Sequence, residues 1–260
     1  MEEKKSPNEK LQEKFSLDKK SSWLSFDAAE KKKVFAFAEG YKKFIGASKT
    51  ERLCIANVIK ELIKDGFKDI DKLTKVDSGD KIYKNIKDKA VLTAVIGRNM
   101  KKWQLIGSHV DSPRLDLKPL PVYEDSGLGM IKTHYYGGVK KYHWVNTPLA
   151  LHGVAFTKEG KKVFVSIGEK DDEPKFIIPD LLPHLAKNQM ERKAPKIVEG
   201  EELNILVANI PVDDDKIKEQ VKFTVLKYLY ETYGLIEEDF ACAELELVPA
   251  NRPMDIGFDK

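Results

Sequence analysis

The hydrophobic period of this chain changes once, near Pro119 and Pro121, and that change limits the architectures open to it. Before it, Val34, Phe37, Ala38, Tyr41, Phe44 and Ile45 recur at three- and four-residue spacings, which predicts a helix from Asp27 that stops at Gly46. A second stripe, Ile55, Val58, Ile59, Leu62 and Ile63, predicts another helix ended by Gly66. Residues 90–96 form a continuous apolar run of strand length, 99–102 read as a turn, and 103–106 as the next strand. Helix, helix, strand, strand is the opening of an α/β domain.

After the prolines, residues 130–169 show no helical period. Short β-type runs are separated there by Gly137-Gly138, Pro148 and Glu159-Gly160, the texture of a compact β-rich module. Residues 180–190 read as a short helix and 203–207 as a strand. Asp213, Asp214 and Asp215 are expected to cap the helix that carries Ile217, Val221, Val225, Tyr228 and Leu229, closed by Gly234. Acidic residues at a helix start accept from free N–H groups and suit the dipole, so capping explains them better than metal binding. Residues 243–248 alternate as a half-buried strand, and the opening through about Asp18 reads as a polar arm or capping extension.

Composition narrows the function. The longest apolar run falls well short of the roughly 20 residues a membrane span needs, and the Lys- and Glu-rich first twenty residues lack the apolar core of a signal peptide. Two cysteines, Cys54 and Cys242, make neither a disulfide framework nor a four-cysteine zinc site. A reducing cytoplasm is the expected location. The net charge is +3, and only five of the 45 basic residues are arginine, spread singly along the chain. A phosphate-reading protein concentrates arginine, so nucleic acid is not an expected partner.

The chemistry concentrates in Gly107-Ser108-His109-Val110-Asp111-Ser112-Pro113, which follows the expected strand 103–106 directly. His109 and Asp111 would then sit at a strand's carboxyl end, where open α/β sheets bind ligands. Neutral imidazole suits zinc, and an aspartate two residues on can hold the other ring nitrogen. A bare His-x-Asp more often binds nothing. The run HVDSPRLDLKP is followed in order by YED, THYYGG, PLALHG, IGE, DLLPHLA, GEELNILV and AELELVPA. Together these resemble the aspartyl aminopeptidase and vacuolar aminopeptidase I family of dinuclear zinc exopeptidases, over nearly the whole chain from about Gly79.

That resemblance implies an α/β catalytic domain (1–118, resuming at 249–260) interrupted by a β-rich insertion and oligomerisation domain (119–248). It implies two zinc ions per subunit in the complete enzyme, peptide substrates, and a large dimer-based homo-oligomer, a dodecamer in the family. His109 becomes a zinc ligand and Asp111 a catalytic-site residue. His184, in Pro183-His184-Leu185-Ala186, becomes the histidine that reaches a neighbouring subunit's active site. The family's bridging aspartate, its Glu-Glu pair and its final histidine are expected beyond Gly257-Phe258-Asp259-Lys260, so the two-zinc site is expected to be incomplete here. Glu201-Glu202 reads as a surface acidic pair, His134 and His152 as structural, and His143 receives no role. The expectation is a partial zinc-exopeptidase α/β fold carrying part of an aminopeptidase site. The rival is an inactive assembly or regulatory fragment that retains the insertion domain.

Overall fold

The computed structural model describes residues 5–17, 19–99 and 101–259. Asp18, Met100, Lys260 and residues 1–4, on which parts of the expected arm, turn and chain end fall, lie outside them. The chain divides into two compact units, up to Phe44 and from Ile45 onward.

In the first unit α1 (Pro7–Phe15) is a free-standing amphiphile with no buried residue, held at its start by a capping box between Ser6 and Glu9. Trp23 packs its ring against Phe26 and Phe35. α2 (Ala28–Ala47) starts at Asp27, whose carboxylate accepts from the Glu30 N–H (2.8 Å) while Glu30 accepts from the Asp27 N–H (2.9 Å). That reciprocal pair fixes the start read from the sequence. The helix passes through Gly46 and ends one residue later.

In the second unit α3 (Glu51–Lys64), capped by Thr50, buries Ile55. It packs on a three-stranded sheet of order β1-β2-β3, built from β1 (Lys68–Asp69), β2 (Lys81–Ile86) and β3 (Ala90–Val95). Ile82 and Tyr83 of β2 are buried, but β3 leaves Leu92 and Val95 open to solvent. The expected strand 103–106 does not form: Trp103, Leu105 and Ile106 are exposed, and no described strand pairs with them. Strand length is a property of one segment, whereas a ladder needs two.

The larger sheet has six antiparallel strands in the order β7-β6-β9-β4-β5-β8. They are β4 (Arg114–Asp125), β5 (Leu128–Tyr136), β6 (Leu149–Phe156), β7 (Lys162–Ile167), β8 (Ile205–Ala208) and β9 (Glu244–Pro249). β4 runs through Pro119 and Pro121, and its register with β5 breaks between Leu117 and Val122, where the prolines cannot donate to a ladder. α5 (Gln220–Tyr233) packs on β4, β5 and β8 over a core that includes Leu115, Ile205, Leu229 and Leu247. Gly153 of β6 has φ 141°, and a Cβ there would stand 1.9 Å from the Glu244 carbonyl oxygen, so only glycine lets β6 lie this close to β9.

Three expectations are corrected here. α5 begins at Gln220, not at the aspartate cluster; its first N–H groups, from Val221 and Lys222, donate to Glu124 of β4 at 2.8 and 3.1 Å. Asp214 instead closes a local turn by accepting from the Lys216 N–H. The helix read over 180–190 shrinks to α4 (Lys187–Met190), because Pro183 disfavours the helical region at Leu182 and the chain makes a turn first. β9 is not half-buried: Leu245, Glu246, Leu247 and Val248 are all buried, since both faces of this central strand are covered.

Candidate active-site edge

His109 and Asp111 lie in an extended, unpaired stretch that leads into β4, rather than at the carboxyl end of a strand. His109 is 84% exposed. Its Nδ1 meets the Asp111 carbonyl oxygen at 2.8 Å and the Asp111 carboxylate at 3.2 Å. With Nδ1–H donating to those oxygens, the lone pair sits on Nε2, the tautomer a metal ligand needs. Asp111 is held in turn by the Tyr136 hydroxyl, which donates to Oδ2 at 3.1 Å. That hydrogen bond holds the Asp111 carboxyl below the usual carboxylate range and pushes the Tyr136 phenol up.

The next shell is built by the sheet register. Arg114 of β4 stands directly opposite Tyr136 of β5, and its guanidinium lies over the Tyr136 ring, 4.0 Å from the centroid. Arg114 is buried. Its Nε donates to Asp116 (2.8 Å) and its Nη1 to Glu51 of α3 (3.0 Å), with Glu246 of β9 3.6 Å from Nε. Glu246 is 2% exposed, and its Oε2 has no hydrogen-bond partner among the described residues. Burial pushes its carboxyl up to about 7 against the pull of Arg114.

A second, half-buried chain of contacts starts at Ser112. Ser112 donates through Oγ to the Lys49 carbonyl (3.3 Å), and Lys49 Nζ reaches Glu169 (2.9 Å) and the Ala250 carbonyl (3.0 Å). Glu169 also meets His152 Nε2 at 2.8 Å. Burial lowers the His152 imidazole, and Glu169 opposes that only in part. His152 is therefore a satisfied core histidine. Beside these residues opens a cleft of about 720 Å³ lined by Ser112, Pro113, Lys140, His143, Trp144 and Pro253 among others.

Of the other sequence-level candidates, His143 lines this cleft. His184 is exposed in the turn before α4, not at a helix start, and Leu181, Leu182, Leu185 and Met190 flank it, all exposed. Glu201 and Glu202 pair with Lys118 and Arg192 at the surface. Exposed His134 stacks on Tyr135, and exposed His143 meets Tyr142 edge-on. Sequence reasoning passed over Arg114, Tyr136 and Glu246. A lone arginine directly after His-x-Asp-Ser-Pro, in a chain that otherwise uses lysine, was the available signal.

Tested against zinc, the donor set fits in part. His109 offers Nε2 with its tautomer already held, while no group of three or more His, Cys, Asp or Glu converges among the described residues. The residues present could supply one ligand, His109, with Asp111 to orient it.

Comparison with known proteins gives this edge its context. Residues 44–260 match the family described as aminopeptidase I zinc metalloprotease (M18). A probable M18 family aminopeptidase 1 from Clostridium acetobutylicum is 46% identical over 260 residues, covering 98% of this chain and 55% of that protein. The crystal structure of an M18 aminopeptidase from Thermotoga maritima superposes with a TM-score of 0.88 at 38% identity, covering 94% of this chain and 53% of the other. A yeast mApe1 dodecamer shares the fold at a TM-score of 0.59 and 23% identity, with 86% of this chain and 50% of that one covered. The chain thus spans about half the length of the relatives it matches, and it belongs to the M18 family of aminopeptidase I zinc metalloproteases.

Proposed function

We propose that this chain forms part of a cytoplasmic zinc aminopeptidase that releases N-terminal amino acids from peptides. In this reading residues 1–118 and 249–260 belong to the catalytic domain and 119–248 to an insertion domain that mediates assembly. The observation that carries the reading is the exposed His109 imidazole, held at Nδ1 by Asp111 so that Nε2 is left unprotonated, in the stretch whose next residues, Ser112 and Pro113, line an open cleft.

His109 would hold one of two zinc ions per subunit, the other ligands and the general base coming from the part of the relatives that this chain does not span. When bound, zinc supplies Lewis-acid polarisation of the scissile carbonyl and an activated water. Asp111 fixes the imidazole tautomer and orientation. His184 acts in a neighbouring subunit of a dimer-based homo-oligomer of up to twelve chains, donating a hydrogen bond to the substrate carbonyl as charge develops there. Its exposure, and the apolar residues flanking it, support a role at an interface rather than in its own core.

The test uses the full-length enzyme. His109→Ala and His184→Ala should each hydrolyse aminoacyl substrates poorly, the latter slower by on the order of 100- to 1000-fold in kcat. Mixed assemblies of the two should recover activity, since an intact His184 then serves an intact metal site. A wild type that releases no N-terminal residue with zinc present would end the aminopeptidase reading. No recovery in assemblies confirmed as mixed by mass would end the trans role of His184.

A further inference from the structure

Four residues from two places in the chain touch in series: the buried Arg114, the Tyr136 ring it covers, the Asp111 carboxylate bonded by the Tyr136 hydroxyl, and His109. Tyr136 is 41% exposed, so burial of its ring alone does not account for its placement. Two constraints do. The β4–β5 register sets Tyr136 opposite Arg114, and Gly137, at φ 80°, turns the chain away immediately afterwards beside Pro113. The ring is therefore clamped at the point where β5 ends and the His109 loop passes.

Arg114 cannot readily move. Asp116 and Glu51 accept from its guanidinium, and Glu246 faces it from the central strand. An anchored cation over an aromatic face is attracted by the ring quadrupole, the more so as it is desolvated. The ring's orientation is thus fixed from within the sheet, and its hydroxyl is delivered to a loop that no described strand pairs with.

We propose that Tyr136 is a positioning residue of the aminopeptidase site, holding Asp111 so that it orients His109 toward its metal. This rests on the functional reading above and adds to it the route by which the sheet core sets the geometry of the loop. Without the hydroxyl, the Asp111 carboxylate is free to rotate, and His109 keeps only the Asp111 carbonyl as a fixed partner. Groups that orient a metal-binding histidine typically account for 10- to 100-fold in metal affinity or activity.

The experiment is a double-mutant cycle in the full-length enzyme, reading zinc affinity by chelator competition together with kcat and KM. Tyr136→Phe keeps the ring on Arg114 and removes only the hydroxyl. It should leave assembly size and Tm unchanged, weaken zinc or lower kcat by about 10-fold or more, and leave KM within about twofold. In an Asp111→Ala background the same change should cost nothing further, because the residue through which Tyr136 acts is gone. A Tyr136→Phe enzyme equal to wild type in affinity and kcat overturns the proposal, and so does an equal loss in both backgrounds. A wild type that neither binds zinc nor hydrolyses peptides would instead overturn the functional reading, and this proposal with it.

Discussion

Glu246 is the residue at which sequence appearance and physical role differ most. In the run 243–248 it occupies a polar position of an alternating strand, which ordinarily faces water. Here that face is covered, and the carboxyl sits beside Arg114, Asp116, Glu244 and Glu51, with burial raising it to about 7. In the unfolded chain it would titrate near its usual 4.5. The folded state therefore holds the proton more tightly, and stability falls as pH rises from about 4.5, the penalty being complete above about 7. The difference corresponds to about 3 kcal/mol. Glu246→Gln should accordingly stabilise the protein relative to wild type at pH 8 and much less at pH 5, as measured by denaturant unfolding. An equal effect at both values would mean that Glu246 carries the same charge throughout. His109 and Asp111 were legible as residues because their motif is local. Arg114, Tyr136 and Glu246 were not, because what joins them is strand register and burial, neither of which a tripeptide encodes.

At the scale of elements, helix starts were legible where the cap is local and missed where it is not. Asp27 and Glu30 lie three residues apart and cap α2 as their spacing predicts. The start of α5 is capped by Glu124, 97 residues away, while the conspicuous Asp213–Asp215 run lies before it. Glu124→Ala should therefore destabilise the fold by about 0.5–2 kcal/mol, the usual cost of a lost cap. Asp213→Ala, at an exposed site, should stay within about 0.5 kcal/mol. Thermal or chemical unfolding of the two variants decides between the carboxylates, and a larger loss at Asp213 would contradict the assignment. The β texture after Pro119 was readable from period and turn residues, whereas the strand expected over 103–106 required a partner that the local sequence does not specify.

Over the whole molecule, a mixed α/β architecture with a six-stranded antiparallel sheet frames the loop that carries His109. The relatives it matches are nearly twice as long. The family match spans the motif at 109–113, and the β4–β5 register brings the Tyr136 hydroxyl to Asp111 within it. The central claim is that His109 is a zinc ligand, and its most direct test is the zinc stoichiometry of the full-length enzyme before and after His109→Ala. The account predicts two tightly held ions per subunit in the wild type. In the variant, affinity for one of the two should fall and turnover should be lost. Two ions held as tightly in His109→Ala as in the wild type would contradict it.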